Sequence, residues 1–158
     1  MSTRAPRDPR WQAGATRNTR ARSGGRAGRR VREITGSTLC THTGLSGPAV
    51  LQASSFWRPG ERLSLDLFDG LDPAAWLFEQ RQRAGQRPLA SVLADRLPRR
   101  LASAWAERSG GAALARRRLA ELGNRQVEQI AAQLRSWQVE PAGTEGFRKA
   151  EVTSGGVS

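Results

Sequence analysis

Six large apolar residues, Leu89, Val92, Leu93, Leu97, Leu101 and Trp105, follow one another at intervals of one, three or four positions. That spacing draws a single apolar stripe along a helix surface, and a stripe of that kind needs a partner to cover it. Pro98 falls inside the run and is predicted to kink or split the helix near Arg96, because proline removes a backbone donor and clashes with the preceding turn. The neighbouring sequence supplies the partners. Asp72 is placed to cap a helix that has Pro73 in its first turn and Trp76, Leu77 and Gln80 following. Gly110-Gly111 breaks the pattern, a third helix is expected to hold Leu114, Leu119 and Leu122, and Gly123 is expected to stop it. Asn124 is read as the cap of a fourth, with Val127, Ile130, Ala131, Leu134 and Trp137 on one face. The stripes together predict a small helical bundle over residues 72–137.

The flanks have a different period. Ser46-Gly47-Pro48 reads as a helix start, with Ser46 as cap and a buried helix over 47–56 behind it. The free N–H groups at such a start are a place where an anion or an electron-rich ring edge could sit. Arg58-Pro59-Gly60-Glu61 is a turn, and Leu63-Ser64-Leu65-Asp66-Leu67 alternates strictly, as a strand with one buried face does. That strand needs partners, since a lone two-stranded element is marginal in water. Gln138-Val139-Glu140 and Phe147–Thr153 read as short strands around a turn cluster at Pro141-Ala142-Gly143-Thr144. The fold class expected is therefore α+β, a small helical bundle with a few flanking strands.

Residues 1–35 are expected to be disordered. Arg, Gly, Ala, Ser and Thr dominate there, and Trp11, Val31 and Ile34 are too sparse to seed a core. Charge is concentrated in the same region: of a net +12, residues 1–40 hold ten Arg against Asp8 and Glu33. An arginine-rich arm gripping RNA or DNA through phosphates is one reading. The other is a solvated tail, and it is preferred, because the basic residues are 25 Arg against the single Lys149 and Tyr is absent. A nucleic-acid surface usually mixes Lys with Arg and adds aromatic side chains. Arg116–Arg118 is read in the same way, as a solvated face.

Catalytic patterns are scarce. Cys40 and His42 are two apart, on one face of a strand, but no third residue orients them as a nucleophile pair. One cysteine cannot form an internal disulfide, nor a metal site with one histidine. No G-x-G-x-x-G follows a strand, and Gly24-Gly25-Arg26-Ala27-Gly28 lacks the strand and helix that a phosphate loop requires. No run of about 18 apolar residues suggests a membrane span, and the N-terminus lacks the apolar segment of a secretory signal. A cytoplasmic location is expected.

Several ordered landmarks carry a family resemblance. They are THTGLSGPAVLQASS at 41–55, the W-x-P-G-E turn at 57–61, the strand LSLDL, and L-x-x-x-L-P-R-R-L at 93–101. The run W-x-V-x-P-x-G-T-E-G at 137–146 and F-R-x-A-E-V-T-x-G-G-V at 147–157 complete them. In this order and spacing they resemble the BaiN/RdsA-type flavoproteins, a family of NAD(P)/FAD-dependent oxidoreductases. The resemblance covers about 41–158 and implies an insert domain, a small β-barrel with a helical bundle, mounted on an FAD-binding domain as its partner. It implies that Thr153, Gly155 and Gly156 approach the flavin ring where the chain re-enters that domain, and that the THTGLSGP helix start faces the cofactor cleft.

The departures from the family pattern set the further expectations. The dinucleotide loop is missing, and the barrel's early strands should lie where the Arg-rich stretch stands, which leaves a partial barrel with unpaired edges. The expected function is a fragment of a flavin-dependent oxidoreductase that binds no FAD and is inactive alone. The alternatives are an Arg-rich nucleic-acid-binding protein, which is disfavoured, and a helical-bundle interaction module with an exposed apolar patch.

Overall fold

The computed structural model describes residues 2–3, 15–23, 32–41 and 44–144. An antiparallel sheet and a group of helices share one apolar core. The strands are β1 (Ser2–Thr3), β2 (Ala15–Ser23), β3 (Arg32–Cys40), β4 (Leu45–Ser46), β5 (Leu63–Asp66), β6 (Trp137–Val139) and β7 (Pro141–Gly143). The helices are α1 (Pro48–Ser54), α2 (Pro73–Ala84), α3 (Leu89–Leu93), α4 (Arg99–Arg116) and α5 (Asn124–Arg135). A five-stranded sheet has the order β4-β3-β2-β5-β6, and β1 pairs with β7 separately. All the pairings are antiparallel, and among the described residues the sheet does not close into a barrel. The fold is α+β.

Within the stretch 1–35 expected to be disordered, residues 2–3, 15–23 and 32–35 form strands, and the rest lies outside the described residues. Strand β2 lies between β3 and β5, in register Ala21↔Ile34 and Ala21↔Leu65. A strand bonded on both sides draws its order from two backbone ladders, so it needs few large apolar side chains of its own. Ala21 is fully buried, and a methyl group is enough where α1 packs on β2 and β3. The partner that the alternating Leu63–Leu67 strand required is thus supplied by the arginine-rich sequence.

Close approach of α1 to β3 explains the glycines at its start. A Cβ on Gly47 would lie 2.7 Å from the Ser37 carbonyl oxygen and 3.1 Å from the Leu39 amide nitrogen. A Cβ on Gly36, in β3, would lie 3.2 Å from the Ala49 nitrogen. Gly47, at φ 95 and ψ 161, is the residue that precedes the helix, and no side chain caps it, so the cap assigned to Ser46 is not formed. Ser46 is instead paired in β4 with Leu39.

The helical half follows the apolar stripes with three adjustments. Asp72 caps α2 as predicted, its Oδ1 accepting from the Ala74 N–H at 2.9 Å. Pro98 separates α3 from α4. Gly110 and Gly111 leave helical geometry and kink α4, but helix resumes immediately and carries Leu114. The expected third helix is therefore the end of α4, while Leu119 begins a short 3-10 turn over Leu119–Glu121. Gly123, not Asn124, precedes α5, and the Gln126 Oε1 accepts the Gly123 N–H at 3.2 Å. The Asn124 carboxamide oxygen accepts instead from Arg81, whose guanidinium also reaches the Leu122 carbonyl and ties α2 to the start of α5.

Specific contacts also join the sheet to the later helices. Trp105 of α4 meets Trp137 of β6 edge-on, with ring centroids 5.2 Å apart, a favoured aromatic geometry. The Leu67 N–H donates to the Leu134 carbonyl at 3.0 Å. Pro141–Gly143, read as a turn, forms β7 against β1. The predicted strand Phe147–Thr153 lies outside the described residues. Among the described residues no helix is long and apolar enough to cross a membrane.

Candidate functional site

The residues implied to approach a flavin, Thr153, Gly155 and Gly156, lie outside the described residues, as do His42 and the Gly24–Gly28 run. Cys40 is described, and it is buried in β3. Burial pushes its thiol up to about 11 from an ordinary 9.0. A reactive cysteine needs the opposite shift, toward thiolate at neutral pH. Cys40 is a core residue, and among the described residues no cluster of three or more His, Cys, Asp or Glu could hold a metal ion.

The strand–glycine–helix junction at β4, Gly47 and α1 is the described feature closest in form to a cofactor loop. Its glycine is used for packing: the side where a Cβ would stand is filled by the β3 backbone at Ser37–Leu39. Helix α1 has seven residues and presses on β3, so no pyrophosphate could lie against this turn as it does in a dinucleotide fold. This turn does not fit the pyrophosphate of a flavin nucleotide.

The feature with chemistry to offer lies between α3 and α4. A groove of about 480 Å³ is lined by Arg87, Ser91, Asp95, Arg99, Ser103 and Arg116, among others. The kink at Gly110-Gly111 builds it. Seventeen residues of straight helix would hold Arg99 and Arg116 about 26 Å apart, yet both line this one groove. Arg87 donates to both oxygens of Asp95, at 2.7 and 2.8 Å, and to the Ser91 carbonyl at 2.9 Å. These hydrogen bonds first, and the attraction of the charges second, hold the Asp95 carboxyl below its ordinary range.

The rim is a short antiparallel link. The Leu89 N–H donates to the Arg117 carbonyl, and the Leu119 N–H to the Arg87 carbonyl. Arg117 sits on Glu121 of the next turn at 3.8 Å. Arg118 donates to the neutral Gln86 side chain at 3.0 Å. Among the described residues Arg99, Arg116 and Arg118 have no ion pair. Sequence reading reached Arg116–Arg118 as a run but not Arg87 or Arg99, which only the kink and the link bring beside it.

An open antiparallel sheet packed on a kinked helical bundle, with an arginine-lined groove on the helical side, defines the class of domain. A family described as the HI0933-like protein barrel and H2TH domain matches residues 17–152, and the chain belongs to that family. The match begins 24 residues before Thr41, so it takes in most of β2 and all of β3, the early strands that the sequence reading held to be missing. Ribosomal RNA dihydrouridine synthase of Escherichia coli is 43% identical over 119 residues, which cover 75% of this chain and 29% of that protein. The enzyme of the same name from Haemophilus influenzae is 34% identical over 119 residues, with the same coverage. The chain thus spans less than a third of the length of these relatives.

Proposed function

We infer that the chain serves as the insert domain of a flavin-dependent oxidoreductase of the ribosomal RNA dihydrouridine synthase type, acting in the cytoplasm. Its partner is the FAD-binding domain of such an enzyme, and Thr153, Gly155 and Gly156 are where the chain meets the flavin. The domain by itself neither holds FAD nor turns over substrate. The observation that carries this reading is the 43% identity to a relative of which the chain matches 29%. The packing at Gly47 supports it, because the glycine turn most like a cofactor loop is closed by strand backbone. The open ends of the sheet, β4 and β6, suit a domain whose neighbours lie in the rest of an enzyme.

The test is optical and then chemical. Purified and mixed with FAD, the chain is expected to stay colourless. Co-expressed with the flavin-binding segments of a relative, it is expected to give a yellow complex that forms dihydrouridine in ribosomal RNA. Stoichiometric flavin bound to the chain alone would overturn the reading.

A further inference from the structure

Beyond the basic strands β2 and β3, the positive charge that follows Thr41 is concentrated in one stretch. Residues 81–118 hold ten Arg against only Asp95 and Glu107. On either side the balance is acidic: residues 41–80 hold two Arg against five carboxylates, and 119–158 hold four basic residues against five. That stretch is the end of α2, α3, α4 and the link to the 3-10 turn, the elements that build the groove.

The geometry points to this groove as a surface that binds RNA through its phosphates, with Arg99 and Arg116 of its lining and Arg118, bridged to Pro88 at its rim, as the contacts. Each of the three is exposed and lacks a carboxylate partner among the described residues, so an incoming phosphate displaces counterions and breaks no ion pair. Two carboxylates line the groove, Asp95 and Glu107; Asp95 is held by Arg87 through two hydrogen bonds, which lowers its repulsion of an anion. Ser103, exposed between Arg99 and Glu107 on the same helix, offers a hydroxyl donor for a second phosphate oxygen. Guanidinium groups suit this task because their planar fork meets two phosphate oxygens at once.

RNA is favoured over an acidic protein face for two reasons. The groove is open, and its lining has no large apolar or aromatic side chain to anchor a protein partner, whereas phosphate contacts, unlike base contacts, need none. Phosphate contacts of this kind fix position without reading sequence, which fits a domain that holds a large RNA while chemistry proceeds elsewhere. This inference rests on the reading that the enzyme to which the domain belongs acts on RNA.

The experiment uses the full chain and a fluorescein-labelled oligouridylate, with binding followed by anisotropy across a salt series. Two triple variants remove the same charge. One replaces Arg99, Arg116 and Arg118 by Gln, and the other replaces Arg58, Arg125 and Arg135, exposed arginines that do not line the groove. Three lost contacts to a single strand should lower the slope of log K against log salt by about 2, with roughly tenfold weaker binding at low salt. The control triple should change the slope by less than about 0.5.

Equal losses in both variants would mean that net charge alone attracts RNA, and would overturn the proposal, as would an absence of binding by the native chain. If the groove variant keeps RNA but no longer associates with the flavin-binding segments, the groove is a domain contact and the proposal fails while the proposed function stands. If the native chain does not associate with those segments but the RNA pattern holds, the proposed function fails and the groove stands. Should Arg118→Gln disturb the link to Gln86, as read by circular dichroism, the Arg99/Arg116 double variant carries the same test with a slope change of about 1.4.

Discussion

Replacing Gly47 by alanine tests how closely α1 lies on β3. Two costs add at this position. The backbone stands at φ 95 and ψ 161, a region that essentially only glycine occupies, and holding an L-residue there costs about 1–3 kcal/mol. The new Cβ also meets backbone, 2.7 Å from the Ser37 oxygen, and backbone cannot swing aside as a side-chain tip can. Forcing helix and strand apart costs about 1–3 kcal/mol more, as overpacking does elsewhere. The sum is about 2–6 kcal/mol. Gly60→Ala is the internal control, because Gly60 has φ 85 but nothing within 4 Å of its would-be Cβ. It should cost only about 1 kcal/mol, partly offset by a less flexible unfolded chain.

Thermal unfolding followed by tryptophan fluorescence would measure both, since Trp105 and Trp137 are in contact across the sheet–helix boundary. At ~3–5 °C per kcal/mol, the Gly47 variant should melt at least about 6 °C lower, and the Gly60 variant within about 5 °C of the parent. Equal destabilisation by the two substitutions would refute the close approach and return the glycine turn to candidacy as a ligand site.

Two further outcomes follow from the polar groups. Cys40 should resist thiol reagents in the folded protein at pH 8 and react once it is unfolded. Its folded pKa of about 11 lies above the ordinary 9.0, so its contribution is fully present below pH 9 and is lost as pH rises toward 11; alkaline unfolding of the Cys40→Ala variant should therefore be less steep over that window. Asp72→Ala should cost about 1 kcal/mol by removing the bond to the Ala74 N–H, and a midpoint shift under urea with an unchanged m-value would confirm a local loss.

One part of the fold obeys local rules and is legible in the residues alone. Asp72-Pro73 fixes the start of α2, Pro98 the gap between α3 and α4, and the stripe from Leu89 to Trp105 the buried face. Each depends on residues within one or two helical turns, so composition and spacing suffice. The family, too, was legible from ordered landmarks after Thr41. The tertiary structure decided the rest. Strand β2 is ordered by ladders to β3 and β5, the latter about 40 residues away, and no local count of apolar residues reveals that. Ser46 lost the cap of α1 because the helix must approach β3, a constraint set by Gly36 and Gly47 together. Arg87, Arg99 and Arg116 came to line one groove because two glycines bend α4 back past α3; charge can be counted along a chain, but its convergence on a surface is fixed only by packing.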